Sequence, residues 1–421
     1  MGWNSWDCYA ANVTEEQLLS NAKYMKQHLL SHGWNYVVCD IQWSEPGAGT
    51  GEGEYRPMAS LCMDDYGRLV PAENRFPSSA GGKGFKPIAD QIHDMGLKFG
   101  IHIMRGLPRQ AAYARLPVLG TDATTDQIAN PFSVCKWNSD MYGLNCAHPA
   151  AQAYYDSIFA LYAEWGVDFV KVDDICNTNL HKETPYSAKL EIEMMRRAID
   201  KCGRVMVLSL SPGPAVIEEA WHLKKHADMW RITDDFWDNW QLLLDMFRRC
   251  EVWQNHVGGG NWPDCDMQPL GHIGIGHKRP RYTNFTKAEQ RTMMNLWCIF
   301  RSPLMMGGEM NDNDDWTLSL LTNDAVISVN QQGNRPRQVA FRDGYAVWIS
   351  DAPDGAVNLA MFNLSEKPMT ISCAAEELPQ GGQVQDLWTG GQIGTVSGDV
   401  KAEIEPHGSV LYQIKASSPL L

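Results

Sequence analysis

The chain has 421 residues, of which 44% are hydrophobic and 20% charged, and its formal net charge at pH 7 is -14. This composition suits a globular enzyme with one large and one smaller domain, and it contains no apolar run of about 18 residues that would cross a membrane. The negative charge disfavours partners that need basic surfaces, such as nucleic acids and anionic membranes. Eleven cysteines without C-x-x-C spacing predict reduced thiols and, together with a start that lacks leader-like features, a cytoplasmic protein.

Short apolar runs alternate with helical patterns from residue 1 to 324, and this alternation is typical of parallel βαβ units. The predicted strands are Gly2–Trp6, Tyr36–Ile41, Lys98–Met104, Asp168–Asp173, Arg204–Leu210, Met229–Thr233, Glu251–Trp253 and Trp297–Phe300. Eight strands over about 300 residues favour a (β/α)8 barrel. Residues 325–421 instead show short alternating strands separated by turns, which predict a C-terminal antiparallel β-sandwich domain. Long insertions after two strands, residues 45–83 and 106–145, are expected to wall the active site.

One stretch, Trp165 to Asp174, has the β-branched content of a buried parallel strand and ends in two carboxylates. Side chains alternate between the faces of a strand, so Lys171 and Asp173 share one face. A cation on the same face is expected to stabilise the ionised acid, which makes Asp173 a candidate anionic nucleophile. A solvated ion pair at a strand end is the alternative.

A second stretch, Met229 to Trp240, repeats this pattern by placing Arg231 and Asp235 on one strand face. Two inward acids from neighbouring strands, among tryptophans that exclude water, are what glycoside hydrolysis requires: an ionised nucleophile and an acid with a raised pKa. Asp235 is the candidate for the second role. A structural layer of ion pairs is the alternative.

Other polar residues are predicted to lie at strand ends or in loops, and tryptophans accompany them. The set consists of Asp40, His102 and Asp266 with Trp6, Trp43, Trp230 and Trp262. Together they predict a polar pocket with aromatic walls, suited to a sugar ring. A divalent-metal site formed by the acids at positions 40, 173 and 235 is an alternative. Lys171 and Arg231 disfavour it because they already supply positive charge, and we expect neither a metal nor a cofactor.

Several short motifs follow one another along the chain. They are Gly2-Trp-Asn-Ser-Trp6, Lys171-Val-Asp173, Trp230-Arg-x-x-x-Asp235, Asn261-Trp-Pro-Asp-Cys-Asp-Met267, Ser302-Pro-Leu-Met-Met306 and Pro406-His-Gly-Ser409. Their order and spacing resemble glycoside hydrolase family 27, the α-galactosidases and their relatives, over essentially the whole length. The resemblance implies a (β/α)8 barrel with a C-terminal antiparallel domain and a retaining double displacement, with Asp173 as nucleophile and Asp235 as acid/base. The implied sugar subsite contains Trp6, Asp40, Lys171, Arg231 and Met267.

The chain also departs from the pattern of that family. Typical members read Asp-Asp-Cys-Trp after the second strand, with both acids on the sugar's 4- and 6-hydroxyls, whereas this chain reads Asp40-Ile-Gln-Trp43 and lacks the second acid. The usual tyrosine after the third strand is His102. The segment Ser209–Pro214 replaces one that contains Glu and Trp near the sugar's 2-position. We therefore expect the substrate site to include Ile41, Trp43, His102, Ser211 and Asp266.

The sequence predicts a retaining exo-glycosidase that prefers β-L-arabinopyranosides and hydrolyses α-D-galactopyranosides more weakly. These two glycosides share a ring configuration and differ by the hydroxymethyl group on C5. The alternatives are an α-galactosidase that tolerates Ile41, a silent carbohydrate-binding protein, which the presence of both catalytic acids disfavours, and a metal-dependent sugar isomerase. The only expected partners are a small carbohydrate substrate and further copies of the chain, in a dimer or tetramer.

Overall fold

The protein is described from a computed structural model, which covers residues 1–50, 55–177, 186–342 and 344–416. The strands up to residue 306 are β1 Gly2–Asn4, β2 Tyr36–Cys39, β3 Lys98–Met104, β4 Leu107–Pro108, β5 Ala129–Val134, β6 Met141–Leu144, β7 Phe169–Asp173, β8 Val207–Ser211, β9 Met229–Arg231, β10 Trp262–Asp264, β11 His272–Ile273, β12 Arg281–Tyr282 and β13 Met305–Met306. The later strands are β14 Asn334–Arg342, β15 Tyr345–Asp351, β16 Val357–Asn363, β17 Met369–Cys373, β18 Gln383–Asp386, β19 Gln392–Thr395, β20 Val400–Ile404 and β21 Ser409–Lys415.

The α-helices are α1 Trp6–Tyr9, α2 Glu15–His28, α3 Lys86–Asp94, α4 Arg109–Ala114, α5 Thr125–Ile128, α6 Pro149–Trp165, α7 Lys189–Lys201, α8 Ala220–His226, α9 Trp240–Trp253, α10 Lys287–Phe300, α11 Asp315–Leu321 and α12 Asp324–Gln332. In the described part of the chain, no helix is long and apolar enough to span a membrane.

The chain divides into two compact units. The first consists of Met1–Asp234, Met267–Tyr282 and Met305–Asp312, and the second of Asp235–Asp266, Thr283–Leu304 and Asn313–Leu421. These units interleave along the sequence, and the domain boundary near residue 325 stays a prediction.

The first unit is built on parallel strands in the order β9-β8-β7-β3-β2-β1-β13, with helices in the connections. Local sequence signals define these helices. Thr14 and Gln17 form a capping box at the start of α2, because each side chain accepts a hydrogen bond from the other's backbone N–H. Helix α6 begins at Pro149 and ends before Gly166, which adopts a left-handed φ of 82°. The carboxyl ends of the parallel strands lie at one edge of the sheet, which is where the predicted site residues are found.

Two predicted strands are wrong. Glu251–Trp253 belongs to helix α9 and Trp297–Phe300 to helix α10. Short apolar runs inside a buried helix resemble buried strands, and periodicity alone does not separate them. The true strands near these positions, β10 and β13, have only three and two residues and give almost no sequence signal.

The insertion at residues 106–145 is more regular than predicted. It contains helices α4 and α5 and a small sheet in the order β4-β6-β5, with antiparallel pairs.

The second unit contains the C-terminal antiparallel strands. They form a six-stranded sheet in the order β14-β15-β16-β21-β18-β19 and a pair, β17-β20. The buried core between them includes Val347, Leu359, Ile371, Ile404 and Ile414. In β17, β20 and β21 these positions have polar neighbours, as expected of a two-layer sandwich, whereas β15 and β16 are buried on both faces. The predicted C-terminal sandwich is confirmed.

Candidate active site

The carboxyl ends of β2, β7 and β8 bring several predicted site residues to one edge of the sheet of the first unit. Asp40 follows β2 directly, while Asp173 and Ser211 are the last residues of β7 and β8. The register of β3 and β7 places His102 opposite Lys171. Residues that are far apart in the chain thereby become neighbours.

Asp173 is held as a carboxylate by several groups. Its Oδ2 lies 3.1 Å from Nε2 of His102, and its Oδ1 accepts a hydrogen bond of 2.8 Å from the N–H of Asp174. Burial alone would raise the pKa of the Asp173 carboxyl. The hydrogen bond and charge of His102, followed by the charges of Arg231 and Lys171, outweigh burial and lower this pKa. Asp173 is therefore ionised at neutral pH.

Lys171 also forms an ion pair at this edge of the sheet. Its Nζ lies 3.1 Å from Oδ2 of Asp40, and the two side chains form a salt bridge. The long lysine side chain reaches past β3 to the end of β2, which lies on the other side of β3 from β7. As the sequence predicts, Lys171 also favours the ionised form of Asp173, because its charge contributes to the lowered pKa of that carboxyl.

Asp40 is buried and hydrogen-bonded on both carboxylate oxygens. Asn4 donates to Oδ2 at 2.8 Å, and the N–H of Ile41 donates to Oδ1 at 2.9 Å. Burial alone would raise the pKa of Asp40, but Lys171 and His102, together with these hydrogen bonds, lower it to about 2. The carboxylate is fixed in position and permanently charged at neutral pH.

Ile41 is 5% exposed and follows this carboxylate directly. It lines a cavity of about 30 Å³ together with Trp43, Leu61 and Met104 and with the polar residues Gln42 and Asp140. Gln42 donates a hydrogen bond of 2.8 Å to Oδ2 of Asp140, so its amide is already engaged. The side chain at position 41 is thus apolar in a partly polar surrounding.

The sequence analysis did not identify two aromatic residues of the insertions that lie near Trp6. The ring of Trp6 stacks on Tyr55 at a centroid distance of 5.2 Å, and Tyr55 contacts Trp137 at 5.0 Å. Tyr55 comes from the first insertion and Trp137 from the second, so both insertions extend the aromatic surface around Trp6. Aromatic residues in long loops after strands were the only available signal.

The other predicted tryptophans of the first unit are core residues. Trp43 is 2% exposed, packs against Phe85 and Trp165, and donates to the carbonyl of His102 at 2.6 Å. This bond holds the backbone that carries the His102 ring, and direct contact of Trp43 with a sugar stays a prediction. Trp230 has no exposed surface, so it does not form a pocket wall as predicted.

Asp174, next to the candidate nucleophile, belongs to a structural network. Its carboxylate lies 2.9 Å from Arg105, which also binds Glu191 at 3.1 Å. Burial raises the pKa of Asp174 to about 6, against the opposing charge of Arg105. Asp174 has a left-handed φ of 54°, and Arg105 also holds its carbonyl. The two adjacent acids therefore have different surroundings. Because Asp174 lies beyond the last residue of β7 and has a left-handed backbone, strand alternation does not account for its placement.

Two further predicted residues lie on β8 and β9. Ser211 is in register with Asp173, and its buried Oγ has no hydrogen-bond partner among the described residues. Arg231 is buried and donates from Nε to the carbonyl of Pro212 at 3.0 Å. A buried hydroxyl without a partner is costly unless a ligand completes it.

Strand β9 ends at Arg231, so the strand alternation used to place Asp235 does not extend that far. Asp235 is the first residue of the second unit, and its side chain is exposed. In the same unit, the carboxylate of Asp266 accepts a hydrogen bond of 2.9 Å from the N–H of Phe236. Met267 belongs to the first unit and is buried.

Comparisons with known proteins identify the family of the chain. The family model described as "Alpha galactosidase A" matches residues 134–332, and that of the "Alpha galactosidase C-terminal beta sandwich domain" matches residues 342–414. An α-galactosidase of Cyamopsis tetragonoloba is 27% identical over 99% of this chain and 86% of its own.

A solved bacterial structure is similar to this chain along its whole length. It is a family 27 β-L-arabinopyranosidase from Geobacillus stearothermophilus, 53% identical, with a TM-score of 0.96 over 100% of this chain and 96% of that one. A variant of that enzyme, solved in complex with arabinose, matches equally well over 99% of this chain and 97% of its own. The predicted fold class, a (β/α)8 barrel followed by a C-terminal sandwich, is thereby confirmed. The chain therefore belongs to glycoside hydrolase family 27 and is a glycosidase.

Proposed function

We propose that the enzyme releases terminal β-L-arabinopyranosyl groups, and more weakly α-D-galactopyranosyl groups, by a retaining double displacement. The observation that carries the substrate preference is Ile41, a buried apolar side chain directly beside the anchored carboxylate of Asp40. The similarity to a β-L-arabinopyranosidase over the whole chain supports it.

Asp173 is the proposed nucleophile. A retaining glycosidase needs an ionised carboxylate on a rigid element, and the contacts of Asp173 with His102 and the backbone supply both conditions. Attack of one carboxylate oxygen on the anomeric carbon forms a glycosyl-enzyme ester and releases the aglycone oxygen. Water then breaks this ester and restores the carboxylate.

Asp235 is the proposed acid/base, on the strength of its place in the Trp230-Arg-x-x-x-Asp235 motif. It would donate a proton to the leaving oxygen in the first step and accept one from water in the second. Its side chain is exposed, so water and an aglycone have access to it.

Asp40 and Ile41 are proposed to contact the sugar ring, and Ile41 is proposed to distinguish the two substrates. Asp40 offers a charged acceptor to a ring hydroxyl, whereas Ile41 offers no partner to the 6-hydroxyl of galactose. L-arabinopyranose lacks that hydroxyl, and its C5 methylene can pack against Ile41 with a small gain from apolar burial. We propose that Ser211 donates its unpartnered hydroxyl to the substrate and that Trp6, Lys171, Arg231, Asp266 and Met267 complete the subsite.

The decisive experiment compares kcat/KM for nitrophenyl β-L-arabinopyranoside and nitrophenyl α-D-galactopyranoside. The proposal requires a higher value for the arabinoside, and NMR of the first product formed must show the anomeric configuration of the substrate. A faster galactoside identifies an α-galactosidase, which the α-galactosidases among the relatives make the second candidate. Absence of turnover on both would favour a carbohydrate-binding protein, and loss of activity in a chelator would favour a metal enzyme.

A cytoplasmic location and assembly into a dimer or tetramer remain proposals. Fractionation of the cells that produce the protein tests the first, and light scattering coupled to size-exclusion chromatography tests the second.

A further inference from the structure

Three potential metal ligands meet between helices α7 and α8, and none of them has a role in the proposed glycosidase mechanism. They are Glu193 on α7 and His222 and His226 on α8, and one donor atom from each lies within 4.8 Å of the others. The two histidines are four residues apart, so they share one face of the helix, and their ring centroids are 4.5 Å apart.

The spacing of these atoms approaches that of a zinc site. With Zn–N and Zn–O distances of about 2.0–2.2 Å, tetrahedral ligand atoms are separated by about 3.3–3.6 Å. Nε2 of His222 and Oε1 of Glu193 already lie 3.2 Å apart. His226 is only partly buried, so its ring can turn to complete the set.

A contact at the other ring nitrogen of His222 fixes the orientation of its ring. The hydroxyl of Tyr186 lies 2.8 Å from Nδ1 of His222, which leaves Nε2 directed towards Glu193. A metal bound at Nε2 keeps the imidazole proton on Nδ1, where it donates to the hydroxyl oxygen of Tyr186. Such a second partner on a ligating histidine fixes its tautomer and strengthens metal binding.

The local charges are compatible with a cation of moderate affinity. Arg197 approaches the other oxygen of Glu193 at 3.6 Å and leaves Oε1 available. The nearby Lys189 is paired with Glu219 at 3.1 Å, which offsets its repulsion.

We infer that Glu193, His222 and His226 form a binding site for a divalent transition-metal ion of the Zn²⁺ type, with a fourth position for water. Two imidazoles and one carboxylate suit Zn²⁺ better than Ca²⁺ or Mg²⁺, which prefer oxygen ligands only. The ion would join α7 to α8 and stabilise the first unit.

Titration calorimetry of the full chain with ZnCl2 tests this inference. We expect one site per chain in the wild type and a loss of affinity of about tenfold or more in both His226→Ala and Glu193→Gln. His28→Ala, which removes an exposed histidine of α2, is the matched control and should leave the affinity unchanged. Zn²⁺ should also raise the melting temperature of the wild type and of His28→Ala, but not that of His226→Ala.

Co²⁺ distinguishes this site from the partly exposed thiols of Cys62, Cys146 and Cys202. The inference requires a visible d–d spectrum without thiolate charge-transfer bands in the near ultraviolet. It is overturned by thiolate bands, by an absence of zinc binding in the wild type, or by equal zinc affinity in His226→Ala and Glu193→Gln and the wild type. Because none of these readouts depends on catalysis, failure of the glycosidase proposal would leave them unaffected.

Discussion

The substitution Ile41→Asp should shift the enzyme towards galactosides. It introduces a carboxylate at the position where typical α-galactosidases have their second acid, beside the fixed carboxylate of Asp40. Ile41 is 5% exposed, so a sugar hydroxyl brought against it is removed from water without gaining a hydrogen bond. The variant gives that hydroxyl a partner.

The size of the shift follows from one hydrogen bond. A buried polar group without a partner costs about 1–3 kcal/mol, which corresponds to about 5- to 150-fold in kcat/KM for the galactoside. The arabinoside instead loses the packing of its C5 methylene against isoleucine, worth about 0.8 kcal/mol or roughly fourfold. The galactoside to arabinoside ratio of kcat/KM should therefore rise by about tenfold or more.

The assay uses both nitrophenyl glycosides at pH 7 with two control variants. Ile41→Val keeps the position apolar and should leave the ratio nearly unchanged. Ile41→Asn introduces a side chain of the size of aspartate without its charge. Comparison of Ile41→Asn with Ile41→Asp therefore separates hydrogen bonding to the sugar from charge repulsion by Asp40 and Asp140. An unchanged ratio in a folded, active Ile41→Asp enzyme would refute the reasoning and indicate that Gln42 or His102 already serves the 6-hydroxyl.

Three further outcomes are expected. Asp173→Ala should lose nearly all turnover, and azide should partly restore it with an inverted glycosyl azide product detected by NMR. The assignment would be contradicted if Asp174→Ala lost its turnover while Asp173→Ala kept it. Asp235→Ala should slow substrates with poor leaving groups far more than activated aryl glycosides, and equal slowing would exclude it as the acid. Asp40→Asn, which removes the buried ion pair between Asp40 and Lys171, should lower the free energy of unfolding in urea by about 3–5 kcal/mol at pH 7. Because the folded-state pKa of Asp40 is lowered from 3.8 to about 2, its stabilisation is present above pH 3.8 and lost as the pH falls through 2, so the difference between the two proteins should narrow over that range.

Local sequence signals determined much of the fold. The capping box at Thr14, the proline and glycine that bound α6, and the β-branched runs of β2, β3 and β7 are visible without any tertiary contact, because their determinants lie within a few residues. The motifs that identified the family are also short runs of residues whose order can be seen in the sequence. Alternation along β7 also placed Lys171 and Asp173 on one face, since it is a property of the single strand.

Tertiary structure decided the features that depend on distant residues. The partner of Lys171 is Asp40 because β2 and β7 both flank β3, which the residues of β7 alone do not reveal. Short segments of helices α9 and α10 were predicted as strands because buried helix interiors and buried strands are equally apolar. Tyr55 and Trp137 reach Trp6 from two separate insertions, and only the folded chain brings them together. In each case the deciding energy comes from contacts between elements far apart in the sequence, which no local pattern encodes.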